Sequence, residues 1–251
     1  MLIIPDTHGR TFWKECVETK RENEIVVFLG DYLEPYSNSI ENISHEEAYQ
    51  NLIEIIDYKK SHKEDCILLL GNHDFACINP KMISCRHDYI NEKRNTKLFF
   101  DNLDLFQIGY FVDINGVKYM MTHSGVRKGW YDTIFKSEEF ENAEPISFLN
   151  NMFCKDRKNL ENYLNVISKY REYFGYDEGS CIWSDAREWF NDKESQFPNT
   201  YQIFGHSQLR SEPIVTQWWA DLDCRRAFRL NEENGNIEEL DGTEKIKECI
   251  S

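Results

Sequence analysis

The sequence predicts an α/β fold in which two β-sheets form a sandwich flanked by helices, with a helical insertion. Short apolar runs at 2–4, 25–29 and 66–70 read as buried strands, because strands covered on both faces are continuously hydrophobic. Before the third run, Ser44 and Glu47 make a capping box, and Ala48, Leu52, Ile55 and Ile56 fall on one helical face. A helix joining two strands is what a parallel crossover requires. Further on, Asn115-Gly116 interrupts alternating apolar residues between Phe111 and Met121, a hairpin signal. Beyond it the pattern shifts toward a second, more antiparallel set of strands.

Each strand run ends in a side chain that binds metals. Asp6 and His8 follow the first in IIPDTHGR, Asp31 follows the second in VVFLGD, and Asn72 and His73 follow the third in ILLLGNHD. Two later runs end the same way, at His123 in YMMTHSG and His206 in YQIFGHS. Alone, Asp31 reads as a turn or cap residue, and each late histidine as a hydrogen-bonded strand end. Together, D-x-H, GD, GNHD, H and GH in one order deliver oxygen and nitrogen ligands suited to divalent ions. Parallel strands would present them at their carboxyl ends, where open α/β sheets bind ligands.

These motifs resemble the calcineurin-like metallophosphoesterase superfamily over nearly the whole chain. Trp183-Ser184-Asp185 resembles the WSD element of the phosphoprotein phosphatase branch, and THSGV at 122–126 resembles its histidine-glycine loop. Bacterial diadenosine tetraphosphatases share this layout, and the segment from Ile214 to Leu230 looks like the family's closing strands. The resemblance implies that Asp6, His8 and Asp31 hold one metal ion, that Asn72, His123 and His206 hold a second, and that Asp31 bridges them. Two cations about 3.5–4 Å apart would acidify a bridging water and clamp the phosphoryl oxygens. His73 would protonate the leaving group, oriented by Glu34; its plainer role is a hydrogen-bonding neighbour of the ligands. Mixed nitrogen and oxygen ligands accept Mn, Fe, Zn or Ni, so the ion is left open.

The chain departs from the family at its second motif. Where phosphoprotein phosphatases carry GDxxDRG, this sequence has Gly30-Asp31-Tyr32-Leu33-Glu34-Pro35-Tyr36. Glu34 keeps the acid, but Pro35 replaces an arginine that would grip phosphate with paired hydrogen bonds. Arg10, Arg86, Arg127 and Arg187 are the candidate replacements, although most arginines are solvated surface groups.

Composition narrows the class. At 251 residues with 41% hydrophobic content, the chain suits one α/β domain over 1–251, with the helical insertion at about 128–180. Aromatic residues such as Trp130, Phe135, Phe140, Phe153, Tyr163 and Tyr173 punctuate that charged insertion; they read chiefly as helix core, and the insertion as a cap that shapes substrate access. A net charge of −15 argues against a nucleic-acid polymer as partner. Most of that charge reads as solvated surface, including the runs at 138–144 and 232–239. The first strand starts at Leu2, leaving no room for a signal peptide, and no apolar run is long enough to span a membrane. Eight cysteines without a CxxC pair favour reduced thiols and a cytoplasmic protein. Three functions follow in order: hydrolysis of a phosphate monoester, on a phosphoprotein or small molecule; hydrolysis of a dinucleoside polyphosphate or phosphodiester; and a non-catalytic scaffold. Oligomeric state is not legible.

Overall fold

The computed structural model describes residues 1–36, 41–79, 85–134, 145–171, 175–176, 178–190 and 192–240. The acidic run at 138–144 and the aromatic residues Phe135, Phe140 and Tyr173 lie outside them. The chain divides into two compact units, Met1–Phe106 with Cys224–Ser251, and Gln107–Asp223.

In the first unit, β1 (Leu2–Ile4), β2 (Val26–Phe28) and β3 (Cys66–Leu69) lie side by side in parallel. The sheet is extended on one side by β10 (Phe228–Leu230), antiparallel to β1, and β11 (Ile237–Glu239), antiparallel to β10, and on the other by β4 (Phe106–Gln107). The short apolar runs form strands because all but one of their side chains are buried: only Ile67 is partly exposed. Helices α1 (Phe12–Glu18), α2 (His45–Ser61), α3 (Asn72–Ile78) and α4 (Glu92–Asp101) complete the unit. Trp13 of α1 packs edge-on against Phe28, with ring centroids 5.6 Å apart, and donates its indole N–H to Asn51 of α2 at 2.9 Å. The capping box of α2 forms as the sequence predicts: Glu47 N–H donates to Ser44 Oγ at 3.1 Å, and Ser44 N–H to the Glu47 carboxylate at 2.8 Å. Its predicted apolar face, Ala48, Leu52, Ile55 and Ile56, is buried.

The second unit holds a sheet of β5 (Gly109–Ile114), β6 (Val117–Thr122), β7 (Thr200–Phe204), β9 (Trp219–Asp221) and β8 (Ile214–Val215), in that spatial order. The hairpin between β5 and β6 turns on Asn115 and Gly116, both at positive φ (52° and 83°), as a two-residue turn matching strand twist requires. The sequence led us to expect a second, more antiparallel set, and the sheet is mixed, with antiparallel and parallel pairings. β6 pairs with β7 and β7 with β9 in parallel, leaving antiparallel pairs only at the two edges. The physical reason is the connection: a long helical segment between β6 and β7 can return the chain to the same end of the sheet, which a tight turn cannot. That segment carries α5 (Lys128–Ile134), α6 (Pro145–Lys155), α7 (Arg157–Leu164) and α8 (Ala186–Trp189). Trp130, Ile146, Leu149, Phe153, Leu160 and Leu164 are among its buried side chains, so these aromatic and aliphatic residues serve as core. Two sheets flanked by helices make this an α/β fold. Among the described residues, no helix is long and apolar enough to cross a membrane.

Candidate metal centre and catalytic loops

The parallel order of β1, β2 and β3 sets their carboxyl ends in a row, and Asp6, Asp31 and Asn72 follow those ends within a few residues. Asp6, His8 and Asp31 offer ligand atoms that all lie within 4.8 Å of one another, and all three are buried. Backbone hydrogen bonds fasten the loops: His8 N–H donates to the Asp31 carbonyl at 2.8 Å, and Gly9 N–H to that of Tyr32 at 2.9 Å. Asp74, the last residue of GNHD, ties the second loop to the third. Its carboxylate accepts the N–H groups of Asp31 (2.7 Å), Tyr32 (3.0 Å) and Gly71 (2.9 Å).

Two glycines permit this closeness. Gly30 has φ +108°, and a Cβ on it would strike the Gly71 backbone; a Cβ on Gly71 would collide with the Asp31 carboxylate. We expect Gly71→Ala to push Asp31 out of place and weaken metal binding about 10- to 100-fold, the cost typical of disturbing a ligand's support. Metal titration of the chelated variant checks this; wild-type affinity would contradict it.

The donor set fits a divalent cation. Two buried carboxylates side by side are costly unless a positive charge joins them. The His8 ring complements them. Its Nδ1 lies 2.8 Å from the Leu33 carbonyl, so the tautomer that donates there leaves the Nε2 lone pair free, 3.6 Å from Asp31 Oδ2. Burial lowers the His8 pKa from 6.5 to about 3; the Asp31 charge opposes this, and His73, Arg10 and Arg86 add to it. The imidazole is therefore neutral at pH 7, the form that binds metals.

That shift carries a pH signature in the metal-free protein. Between pH 6.5 and about 3 the unfolded chain binds a proton at His8 that the folded chain refuses. Stability therefore rises with pH across this window and is lost as pH falls through it. Urea midpoints of chelated protein should decline over this range, and less steeply in His8→Gln. Parallel slopes for the two proteins would contradict the assignment.

His73 opens the helix beside Asn72. Its N–H donates to Asp31 Oδ1 at 3.0 Å, its ring stands 5.3 Å from that of His8, and its Nδ1 lies 3.1 Å from the Arg86 carbonyl. Glu34 anchors the same stretch of loop. Its Oε1 accepts Asp88 N–H at 2.9 Å, and its carbonyl accepts Arg86 Nη2 at 3.0 Å. Burial raises the Glu34 pKa, against the Asp88 hydrogen bond that favours its ionised form.

In the second unit, His123 and His206 emerge from the carboxyl ends of the parallel neighbours β6 and β7. Gly205 N–H donates to the His123 carbonyl at 2.9 Å, and the two buried rings approach with Nε2 of His123 3.0 Å from Nδ1 of His206. That is close to the spacing of two nitrogens each about 2.1 Å from one ion and at right angles around it. The WSD residues brace these loops. Ser184 donates twice to Ser124, from Oγ to its carbonyl and from its N–H to Oγ at 2.9 Å. Asp185 accepts Nε of both Arg171 (2.8 Å) and Arg187 (2.7 Å). Arg171 in turn reaches the His206 carbonyl at 3.2 Å and Ser207 Oγ at 2.9 Å.

Outside four asparagines, the non-glycine residues at positive φ among those described are His8, Asp31, Glu34, His206 and Arg225. Four of these five are candidate site residues, which matches the tendency of strained backbone to collect where function holds it.

The four candidate arginines separate. Arg10 is buried, bound to Glu41 at 2.8 Å and the Thr7 carbonyl at 3.3 Å. Arg127 is buried with Nε 3.0 Å from Asp192, and Arg187 spends Nε and Nη2 on Asp185. Arg86 is exposed and stacks on Tyr36, its Cζ 3.6 Å from the ring centroid. Sequence reasoning missed Asp74, Tyr36 and Arg171. Asp74 was visible within GNHD, whereas Arg171 belongs to no motif and acts through contacts distant along the chain.

The family model for calcineurin-like phosphoesterases matches residues 1–240. Among solved structures, the chain resembles the cold-active protein-tyrosine phosphatase of a psychrophilic Shewanella species, with a TM-score of 0.56 and 14% identity, covering 95% of this chain and 79% of that one. It also resembles a protein serine/threonine phosphatase from Saccharomyces cerevisiae with similarity to human phosphatase PP5, with a TM-score of 0.50 and 13% identity, covering 88% and 65%. These likenesses speak to the fold. No curated protein matches the chain. With its matched span, the chain belongs to the calcineurin-like phosphoesterase family and is a metal-dependent phosphoesterase.

Proposed function

We propose that the protein hydrolyses phosphate monoesters, on a phosphoprotein or a small molecule, with two divalent ions drawn from Mn, Fe, Zn or Ni. The observation that carries this reading is the buried Asp6–His8–Asp31 set, whose ligand atoms lie within 4.8 Å of one another. In it, Asp6, His8 and Asp31 would hold one ion, and Asn72, His123 and His206 would hold the other, with Asp31 shared. When bound, such ions supply an acidified water and neutralise phosphoryl oxygens. His73 donates a proton to the leaving oxygen, its Nδ1 held by the Arg86 carbonyl at 3.1 Å and its N–H by Asp31 at 3.0 Å. Glu34 steadies that histidine by pinning the loop at 86–88. The helical segment at about 128–180 shapes substrate access as a cap. Buried thiols at Cys16, Cys66, Cys77 and Cys181 suit a reducing compartment, and we place the protein in the cytoplasm.

Pro35 in place of the family's arginine keeps a second reading open, hydrolysis of a dinucleoside polyphosphate or phosphodiester. Rates on para-nitrophenyl phosphate and its bis ester, measured on chelated enzyme given each metal, separate the two. A faster monoester reaction supports the proposal, and a faster diester reaction supports the second reading. Failure on both, with phosphopeptides and dinucleotides also left intact, points to a scaffold.

A further inference from the structure

The departure at Pro35 leaves the protein without the family's phosphate-gripping arginine, yet the adjoining Tyr36 is flanked by guanidinium groups. Its ring meets His8 edge-on at 4.8 Å, with Arg86 Cζ at 3.6 Å and Arg10 Cζ at 5.6 Å from its centroid. Arg86 is fastened to the same loop a second time, through Nη2 to the Glu34 carbonyl at 3.0 Å. Its own carbonyl holds His73 Nδ1 at 3.1 Å. One residue thus contacts the candidate general acid through its backbone and, through its side chain, the ring that abuts a candidate ligand.

We propose that Arg86, seated on Tyr36, binds the phosphoryl oxygens of the substrate in the role that Pro35 vacates; this rests on the phosphoesterase reading above. Of the four candidate arginines, it alone combines an exposed side chain with a position against the His8 and His73 loops. The side-chain hydrogen bond from Nη2 to Glu34 uses one of the five N–H donors of its guanidinium, so donors remain for an oxyanion. Stacking on an aromatic face fixes the guanidinium plane before substrate arrives, and a planar fork suits two phosphoryl oxygens at once. Tyr36 is the positioning residue in this pair. Arg10, Arg127 and Arg187 are by contrast held by carboxylates.

The test uses the full chain reconstituted with metal, inorganic phosphate as inhibitor and ligand, and para-nitrophenyl phosphate as substrate. We expect Arg86→Ala to raise the inhibition constant and the calorimetric dissociation constant of phosphate about 10- to 100-fold, the loss of a charge-assisted hydrogen bond. kcat/KM should fall similarly while metal content stays at the wild-type level. Arg86→Lys should recover part of the loss, and Tyr36→Ala should weaken phosphate several-fold. Arg94→Ala, which removes a guanidinium stacked on Tyr49 at 3.9 Å, should change nothing. Phosphate binding within twofold of wild type in Arg86→Ala overturns the inference and leaves the phosphoesterase reading intact. Metal loss in that variant overturns it too, by showing a structural role. Wild-type enzyme that hydrolyses no ester with any metal overturns both.

Discussion

Asp31→Asn should lower kcat/KM by roughly a thousandfold, because losing ion-based stabilisation removes several kcal/mol from the transition state. The substitution preserves shape and removes one charge at a residue tied to His8, His73 and Asp74. Asp31 Oδ1 accepts His73 N–H at 3.0 Å, Oδ2 faces His8 Nε2 at 3.6 Å, and its N–H donates to Asp74 at 2.7 Å. An amide nitrogen in place of either carboxylate oxygen cannot bind a cation. We therefore expect metal content to drop to at most one ion per chain, measured by plasma mass spectrometry, with an unchanged circular dichroism spectrum. Two tightly held ions at normal rate would contradict the shared-ligand assignment.

His73→Ala should leave the ions in place and slow the chemical step, by about 10²- to 10⁴-fold. The effect should depend on the leaving group. A phenolate such as para-nitrophenolate departs with little help, whereas an alkyl alcohol must be protonated as it leaves. The variant should therefore lose far more on an alkyl phosphate than on para-nitrophenyl phosphate. Equal losses on both would assign His73 to support of the site, through its contacts with Asp31 and Arg86, and not to proton transfer.

Much of the first unit was legible in sequence because its signals are local. Buried parallel strands announce themselves as short apolar runs, the capping box joins residues one turn apart, and each candidate ligand loop follows its strand. The hairpin at Asn115-Gly116 was legible for the same reason. Pairing between strands distant in the chain leaves no such mark, so the parallel order of β6, β7 and β9 was not anticipated. The same holds for the polar network around the ligands. Arg171 meets the His206 carbonyl across 35 positions, and Asp74 gathers three N–H groups from two loops. Pro35 was visible as a departure from the family, but the stack of Arg86 on Tyr36 came into view only once the chain was folded.

The most direct measurement is metal reconstitution with parallel counting of bound ions. Protein stripped by chelator should be inactive and, on adding Mn, Fe, Zn or Ni, should bind two ions per chain as monoester hydrolysis returns. Activity that survives complete removal of metal, or full activity with no ion held by the Asp6–His8–Asp31 set, would contradict the account.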